Sequence, residues 1–343
     1  MSRKLCKNES FQNDFCFVVV SYNQEQYVYQ HLESIRFLIE KFGREKKIQL
    51  VFSDDASTDN TVSYAVNWIK KNNNLFYSYE IVTHDHNVGT IRNMQDAIDR
   101  VNAKAFKQTA CDDLYYKNNI FDLYKKGEIV ISPTIHFFEG GGIEKKIISD
   151  YLCFLKYRDN INLKYKIKKM LDYNQCIPSP GVFIKKKMWD DEGFLKFITQ
   201  FTYIEDVPEW YYFFNIYKKE FSVYIDDVPY VLYRRNVGVS CNIKKKGNPI
   251  DEDYRKIRKL IRAKQDFLPR FINPYCFIHF IKNKLQNPIW KIQKEIRNSL
   301  QNWDENLIGA EEHIEYIQNM AIEFYKIPMN SLAKEEEETN ASN

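Results

Sequence analysis

"IQLVFSDDASTDNTVSYAVNWIKK" (residues 48–71) is the stretch whose reading decides the fold. An apolar run from Ile48 to Phe52 ends in two adjacent aspartates, Asp54 and Asp55. A few residues later Val62, Ala65, Val66 and Ile69 recur at the spacing of one helical face. A buried strand that passes through a short polar loop into a helix is half of a βαβ unit. Thr58 or Asp59 can cap that helix, and Asp55 or Ser57 can hold its first turn. Two carboxylates at such a junction destabilise the chain unless donors or a cation complete them, and this edge of an open α/β sheet is where ligands bind.

The same grammar continues on both sides. "FCFVVVSYN" (15–23) reads as a buried strand, followed by a helix that turns Leu32, Ile35, Leu38 and Ile39 inward and closes at Gly43. "YEIVTH" (79–84) is a third strand; it runs into "DHNVG" and the helix "TIRNMQDAIDRV" (90–101). A fourth strand, "AFKQTACDD" (105–113), again ends in paired aspartates. Parallel strands present their carboxyl ends on one edge, so Asp54–Asp55 and Asp112–Asp113 are expected to face one cleft.

From residue 128 the pattern becomes mixed: "EIVISPTIHFF" (128–138), the turn "EGGG" (139–142), a polar helical stretch over 147–173, and "FSVYIDDVPYVLYRRN" (221–236), a strand or hairpin. Past residue 250 the chain reads as helical, with Asn273-Pro274 and Asn287-Pro288 as helix starts. These patterns divide the chain into an arm (1–14), an α/β domain (15–245), a helical extension (251–330) and a disordered acidic tail (331–343).

With 343 residues, 44% of them hydrophobic, the chain can fill a sizeable core, and a net charge of +4 is too small for a general polyanion binder. Seven cysteines without a CxxC pair read as reduced thiols. No apolar run reaches the ~18–20 residues of a membrane span, so a cytoplasmic location is expected. Between Tyr254 and Arg297 the only acids are Asp266 and Glu295, and the many Lys and Arg alternate with aromatic and aliphatic residues. That stretch (254–300) is suited to an anionic surface at the inner face of a membrane.

Several residues are candidates for chemistry. Asp112 and Asp113 can hold a hard divalent cation, Mn2+ or Mg2+, or cap a turn. Glu205 and Asp206 stand among aromatic residues, where a carboxylate's pKa rises toward that of a general base; the same acids also suit a helix N-terminus. Arg234 and Arg235 are phosphate partners or surface charge. His84 and His86 lack a nearby third metal ligand, and "EGGG" lacks the Lys-Ser/Thr of a phosphate loop.

Taken in order, "VVVSYNQEQYVYQHLESI", "VFSDDASTDNT", "NVGTIRNMQDAI", "ACDDLYY", "PSPGVFIKKKMWDDEGF" and "YIEDVPEW" resemble the family 2 glycosyltransferases, over about residues 15–240. The resemblance implies a GT-A fold, a Rossmann-like mixed α/β sheet, here with a C-terminal helical extension. It implies an inverting, metal-dependent transfer from a nucleotide sugar, a UDP-sugar foremost, to a glycan or lipid-linked acceptor of a bacterial-type surface polymer. By position, Ser21, Tyr22, Asn23 and Asp55 would form the nucleotide site, with a bound nucleotide completing the hydrogen bonds of Asp54 and Asp55. Asn87, Gly89, Arg92 and Asn93 would line the donor side. Asp112 would face ribose or metal, Asp113 would hold the metal against the diphosphate, and Arg234 or Arg235 would meet the phosphates. Asp206, with Glu205 beside it, would be the general base. Where the family carries "GGFDE" this chain has "DEGFLKF", a departure on the acceptor side.

Two other classes stay open at this stage, and so does a homo-oligomer. A nucleotidyltransferase would also use strand-end aspartates and a divalent ion, but with a Gly-rich, basic loop in place of "SYNQEQY". A non-catalytic polyanion-binding module would use the basic aromatic stretch, and its affinity would survive Asp113→Ala. No nucleic-acid partner is expected.

Overall fold

In the computed structural model, which describes residues 11–144, 155, 162–172, 177–237, 250–264 and 303–326, the first third folds as expected from its alternation. Strands β1 (Asn13–Ser21), β2 (Ile48–Asp54), β3 (Ser78–Thr83) and β4 (Ala103–Ala110) form one parallel sheet in the order β3-β2-β1-β4. Every residue of β2 and all of β1 but Asp14 are buried, the pattern of strands covered on both faces. Helices α1 (Val28–Leu38), α2 (Thr61–Lys71) and α3 (Thr90–Asp99) make the crossovers.

Two local expectations are corrected. Gly43 is not a helix cap: α1 widens into a π-turn over Ile39–Gly43, and a Cβ on Gly43 would stand 3.0 Å from the Phe121 ring, so close packing is what requires glycine. On α2 the inward face is Ala65, Trp68 and Ile69, while Val62 and Val66 are half-buried. Trp68 fits there because its indole Nε1 donates to Glu33 Oε1 at 2.7 Å. Of the candidate caps, Asp59 holds the first turn by accepting the Thr61 amide at 3.0 Å.

The second half supplies β5 (Leu114–Tyr115), β6 (Ile129–Ile131), β7 (Thr134–Phe137), α4 (Leu163–Asp172), β8 (Val182–Ile184), α5 (Lys186–Trp189), α6 (Glu192–Ile198), α7 (Asp206–Tyr211), β9 (Val223–Ile225) and β10 (Val231–Arg234). They build two mixed three-stranded sheets, β5-β10-β7 and β8-β6-β9. The run 221–236 is therefore not a hairpin, since β9 pairs with β6 and β10 with β5 and β7. Asp226 redirects the chain between them: Oδ1 accepts the amides of Asp227 and Val228 at 2.9 and 3.3 Å, and Oδ2 accepts the Tyr230 hydroxyl at 3.0 Å.

Two further helices, α8 (Ile250–Lys264) and α9 (Trp303–Tyr325), return to this core. Ala310, Ile314, Ile317 and Ala321 form the buried stripe of α9, which packs on α1, and Phe324 reaches the rings of Tyr29 and Trp68. The first ten residues, residues 265–302 with most of the basic stretch, and the tail from residue 327 lie outside the described residues. Among the described residues no helix is long and apolar enough to cross a membrane.

Candidate functional site

Both acid pairs reach the same edge because the chain crosses β1 on each side. The Asp55 amide donates to the Ser21 carbonyl at 3.0 Å and the Cys111 amide to the Val20 carbonyl at 3.0 Å. Asp55 and Cys111, two residues before Asp113, thus flank the end of β1.

The first pair is completed by the protein itself. Asp54 is fully buried; Oδ2 accepts the hydroxyls of Ser21 and Ser57 at 2.8 and 2.6 Å, and Oδ1 accepts the Ser57 amide at 2.7 Å. Asp55 grips the loop before α3, accepting the amides of Val88 and Gly89 at 2.6 and 3.0 Å. These serine hydroxyls and backbone amides do what the sequence reading assigned to a nucleotide, because the strand-end loops fold back onto the carboxylates. The loops after β1 and β2 are laced together as well. The Asn23 amide donates to Ser57 Oγ at 2.7 Å, Thr58 donates to Asn23 Oδ1 at 2.9 Å, and Asn60 donates to Glu25 Oε2 at 2.9 Å. Asn23 takes a φ of 51° to make this turn. Tyr22 beside it is 43% exposed at the sheet edge.

Around the second pair the charges are buried. Arg234 at the end of β10 lies between the rings of Tyr27 and Phe137, 4.4 and 4.5 Å from their centroids. Its backbone amide donates to Asp113 Oδ1 at 3.0 Å, Nε to the Asp112 carbonyl at 2.7 Å, and Nη2 to Gln30 Oε1 at 2.7 Å. Among the described residues, Arg234 Nη1 and Asp113 Oδ2 are buried and have no hydrogen-bond partner. Burial, and then the neighbouring Asp112 charge, hold the Asp113 carboxyl well above the usual carboxylate range; burial raises Asp112 too. His31 adds a contact within 2.7 Å of the Asp113 carbonyl through Nδ1, and burial lowers its pKa to about 4, so the ring is neutral near pH 7.

A third acidic group lies at the start of α7. Glu205 accepts the Ser179 hydroxyl at 2.8 Å, and burial together with the Asp206 charge raises its pKa to about 7. Asp206 accepts the Val207 amide at 2.7 Å. One turn on, Glu209 is buried and held well above the carboxylate range. It shares a small cavity with Lys107, Ser179 and Trp189. Lys107 on β4 donates to the carbonyls of Ser179 and Val182 at 3.2 and 2.8 Å; burial lowers its pKa to about 8 against the opposing pull of Asp113 and Glu209. Ser179 and Lys107 therefore link Glu205 to the Asp113 side of the sheet.

Gly89 joins the loop before α3 to the segment before α7. Its φ is +88°, and a Cβ there would meet Thr202 Cγ2 and O at 2.5 and 2.8 Å. The Ile91 amide donates to the same Thr202 carbonyl at 3.0 Å. Other candidates are placed differently. Asn93 is buried with Oδ1 accepting the Ser53 hydroxyl at 2.5 Å, and Arg92 is exposed, 2.9 Å from Asp96. Asn87 is exposed, and Arg235 stands 3.9 Å from Glu144. His84 lies 3.9 Å from Asp96, and among the described residues no three His, Cys, Asp or Glu side chains converge as a metal site.

Sequence reasoning missed Tyr27, Gln30 and His31, although their i, i+3, i+4 spacing at the start of α1 marks one face. It also missed Lys107, a buried lysine in β4, and Glu209 on α7.

A family model described as glycosyl transferase family 2 matches residues 16–194, more than half of the chain. The chain belongs to glycosyl transferase family 2. It is a glycosyltransferase with the GT-A fold. Among solved structures, S. aureus TarS 1-349 in complex with UDP-GlcNAc is similar at 15% identity and a TM-score of 0.50, covering 91% of this chain and 89% of that one. The same protein in complex with UDP matches at 15% identity and a TM-score of 0.49, with the same coverage. No curated protein matches the chain.

Proposed function

We propose that this glycosyltransferase moves a sugar from a nucleotide diphosphate donor, a UDP-sugar, to a hydroxyl of a glycan or lipid-linked acceptor, with inversion at the anomeric carbon. The observation that carries the reading is the buried Asp112–Asp113–Arg234 cluster at the carboxyl edge of the sheet, with Asp113 Oδ2 and Arg234 Nη1 both unpartnered. A buried acceptor and a buried cationic donor left open on two residues joined by a backbone hydrogen bond suit a ligand that brings a cation and an anion together. A similar fold that holds UDP-GlcNAc supports the choice of donor.

The residues fit a divalent cation. Asp113 Oδ2 is a hard oxygen donor without a partner, and Mg2+ or Mn2+ characteristically takes one or two carboxylates and fills its remaining positions with phosphate oxygens and water. When bound, such an ion supplies charge stabilisation for the departing nucleoside diphosphate. Arg234 Nη1 donates to the same phosphates, its direction fixed by Tyr27 and Phe137. The exposed Tyr22 ring offers a stacking face for the base, and the Asp55 grip on Val88 and Gly89 sets the height of the donor loop.

Asp206 accepts the proton of the attacking hydroxyl, with Glu205 beside it as a group whose pKa of about 7 suits proton transfer near neutrality. Attack from the face opposite the leaving diphosphate inverts the anomeric configuration. The basic stretch between Tyr254 and Arg297 gives the sequence a means of docking at an anionic membrane that carries a lipid-linked acceptor. The test is a transfer assay with a panel of UDP-sugars and Mn2+, with the product anomer read by NMR. Inverted product, abolished by Asp113→Asn or by chelation, supports the reading, and retained configuration or indifference to both overturns it.

A further inference from the structure

We infer that Asp253, on α8, is a positioning residue for the segment that carries Glu205 and Asp206; the inference rests on the transferase reading above. Asp253 is 1% exposed, and its Oδ2 accepts three successive backbone amides, those of Thr202, Tyr203 and Ile204, at 2.8, 2.7 and 3.4 Å. Consecutive amides aimed at one anionic oxygen form a nest, a rigid arrangement because the single acceptor fixes the direction of each peptide. Glu205 is the next residue in the chain, so the nest sets where α7 begins.

The other side of this segment is held by the donor loop. Thr202 accepts the Ile91 amide at 3.0 Å, and its Cγ2 and O lie where Gly89 leaves no room for a Cβ. Residues 202–204 are thus clamped between Asp253 and the turn that Asp55 grips, and the clamp fixes the distance between the donor loop and the base. The helix that carries Asp253 is itself registered on the core: Ile250, Ile257 and Ile261 are buried, and the Tyr211 hydroxyl donates to the Leu260 carbonyl at 3.2 Å. Asp253, like Glu205 and Asp206 themselves, lies beyond residue 194, where the family match ends.

The experiment measures steady-state transfer by the full chain and by Asp253→Ala, Asp253→Asn, Asp253→Glu and Glu252→Gln, with UDP affinity by calorimetry in parallel. Removing the acceptor oxygen lets the base drift, and Asp253→Ala is expected to lower kcat about 100-fold while the UDP Kd stays near that of the parent. Asp253→Asn keeps an acceptor oxygen and should fall between the two. Asp253→Glu keeps the charge but displaces the segment, so it should also lose kcat. Glu252→Gln, on the exposed side of the same helix, should match the parent. If Asp253→Ala does not fold, the Asn and Glu variants carry the test. Parent-like kcat in the Glu variant, or a kcat loss matched by an equal loss of UDP affinity and of cooperative unfolding, overturns the inference. A parent chain that binds UDP but transfers no sugar overturns the proposed function, and the positioning role falls with it.

Discussion

Arg234 donates its backbone amide to Asp113 Oδ1 at 3.0 Å, fastening the end of β10 to a carboxylate 121 residues earlier in the chain. Through its guanidinium the same residue reaches the Asp112 carbonyl and Gln30. One residue therefore fastens the sheet edge through its backbone and brings a buried positive charge beside the acid pair through its side chain.

Replacing Arg234 separates these roles. Arg234→Met leaves two buried carboxyl groups without their cation and should destabilise the fold by about 3–5 kcal/mol, read by denaturant unfolding. Arg234→Lys keeps the charge but loses the planar packing between Tyr27 and Phe137. Its kcat should fall by ~100-fold or more, the usual cost of losing a fixed donor at developing charge.

Asp55→Asn tests the grip on the loop before α3. An amide has one acceptor oxygen, so it can hold the Val88 or the Gly89 amide but turns its own N–H2 toward the other. The loss should be ~1–3 kcal/mol in unfolding free energy. The KM for the nucleotide sugar should rise more than kcat falls.

Gly89→Ala strains the same loop from within. Its φ of +88° and the nearby Thr202 atoms forbid a Cβ without movement. A penalty of about 1–3 kcal/mol is expected, with activity lost in parallel because the segment before Glu205 must shift.

The pH dependence has a definite sign. Glu205 is raised from 4.5 to about 7, so the native state binds its proton more tightly than the unfolded chain does. Its contribution to stability is fully present below about 4.5 and is lost as pH rises through 7. Lys107, lowered from 10.5 to about 8, acts in another window: the native state releases its proton first, so stability rises with pH between 8 and 10.5. Difference curves of unfolding free energy against pH for Glu205→Gln and Lys107→Met should each lose the slope in its own window only.

The succession of β1 to β4 along the chain, and the meeting of both acid pairs at one edge, were legible because continuous apolar runs and helical spacing are local signals. The partners were not. Nothing in "SDDAST" says that Ser21, from another strand, completes Asp54, or that Asp55 faces the amides of Val88 and Gly89. Such bonds depend on how loops distant in sequence meet. For the same reason Trp68 displaced Val62 and Val66 from the core face: a buried Glu33 was waiting for its N–H. The C-terminal region reads as a helical extension, and what periodicity could not name is its partner on the core: Phe324 is buried against Tyr29 and Trp68. Phe324→Ala should cost about 3–5 kcal/mol in an unfolding titration, as deletion of a core ring does.

The most direct measurement is calorimetric titration of UDP into the full chain and into Asp113→Asn, each with Mn2+ and again with EDTA. Asp113→Asn preserves the shape of the site while leaving only one oxygen on the side chain, so that Oδ2 is replaced by an N–H2 group that cannot take a cation. Binding by the parent chain that is strong with Mn2+, weak in EDTA and weak in the variant under both conditions is the expected result. Equal UDP affinity in all four titrations would contradict the assignment of Asp113 and Arg234 to a nucleotide diphosphate.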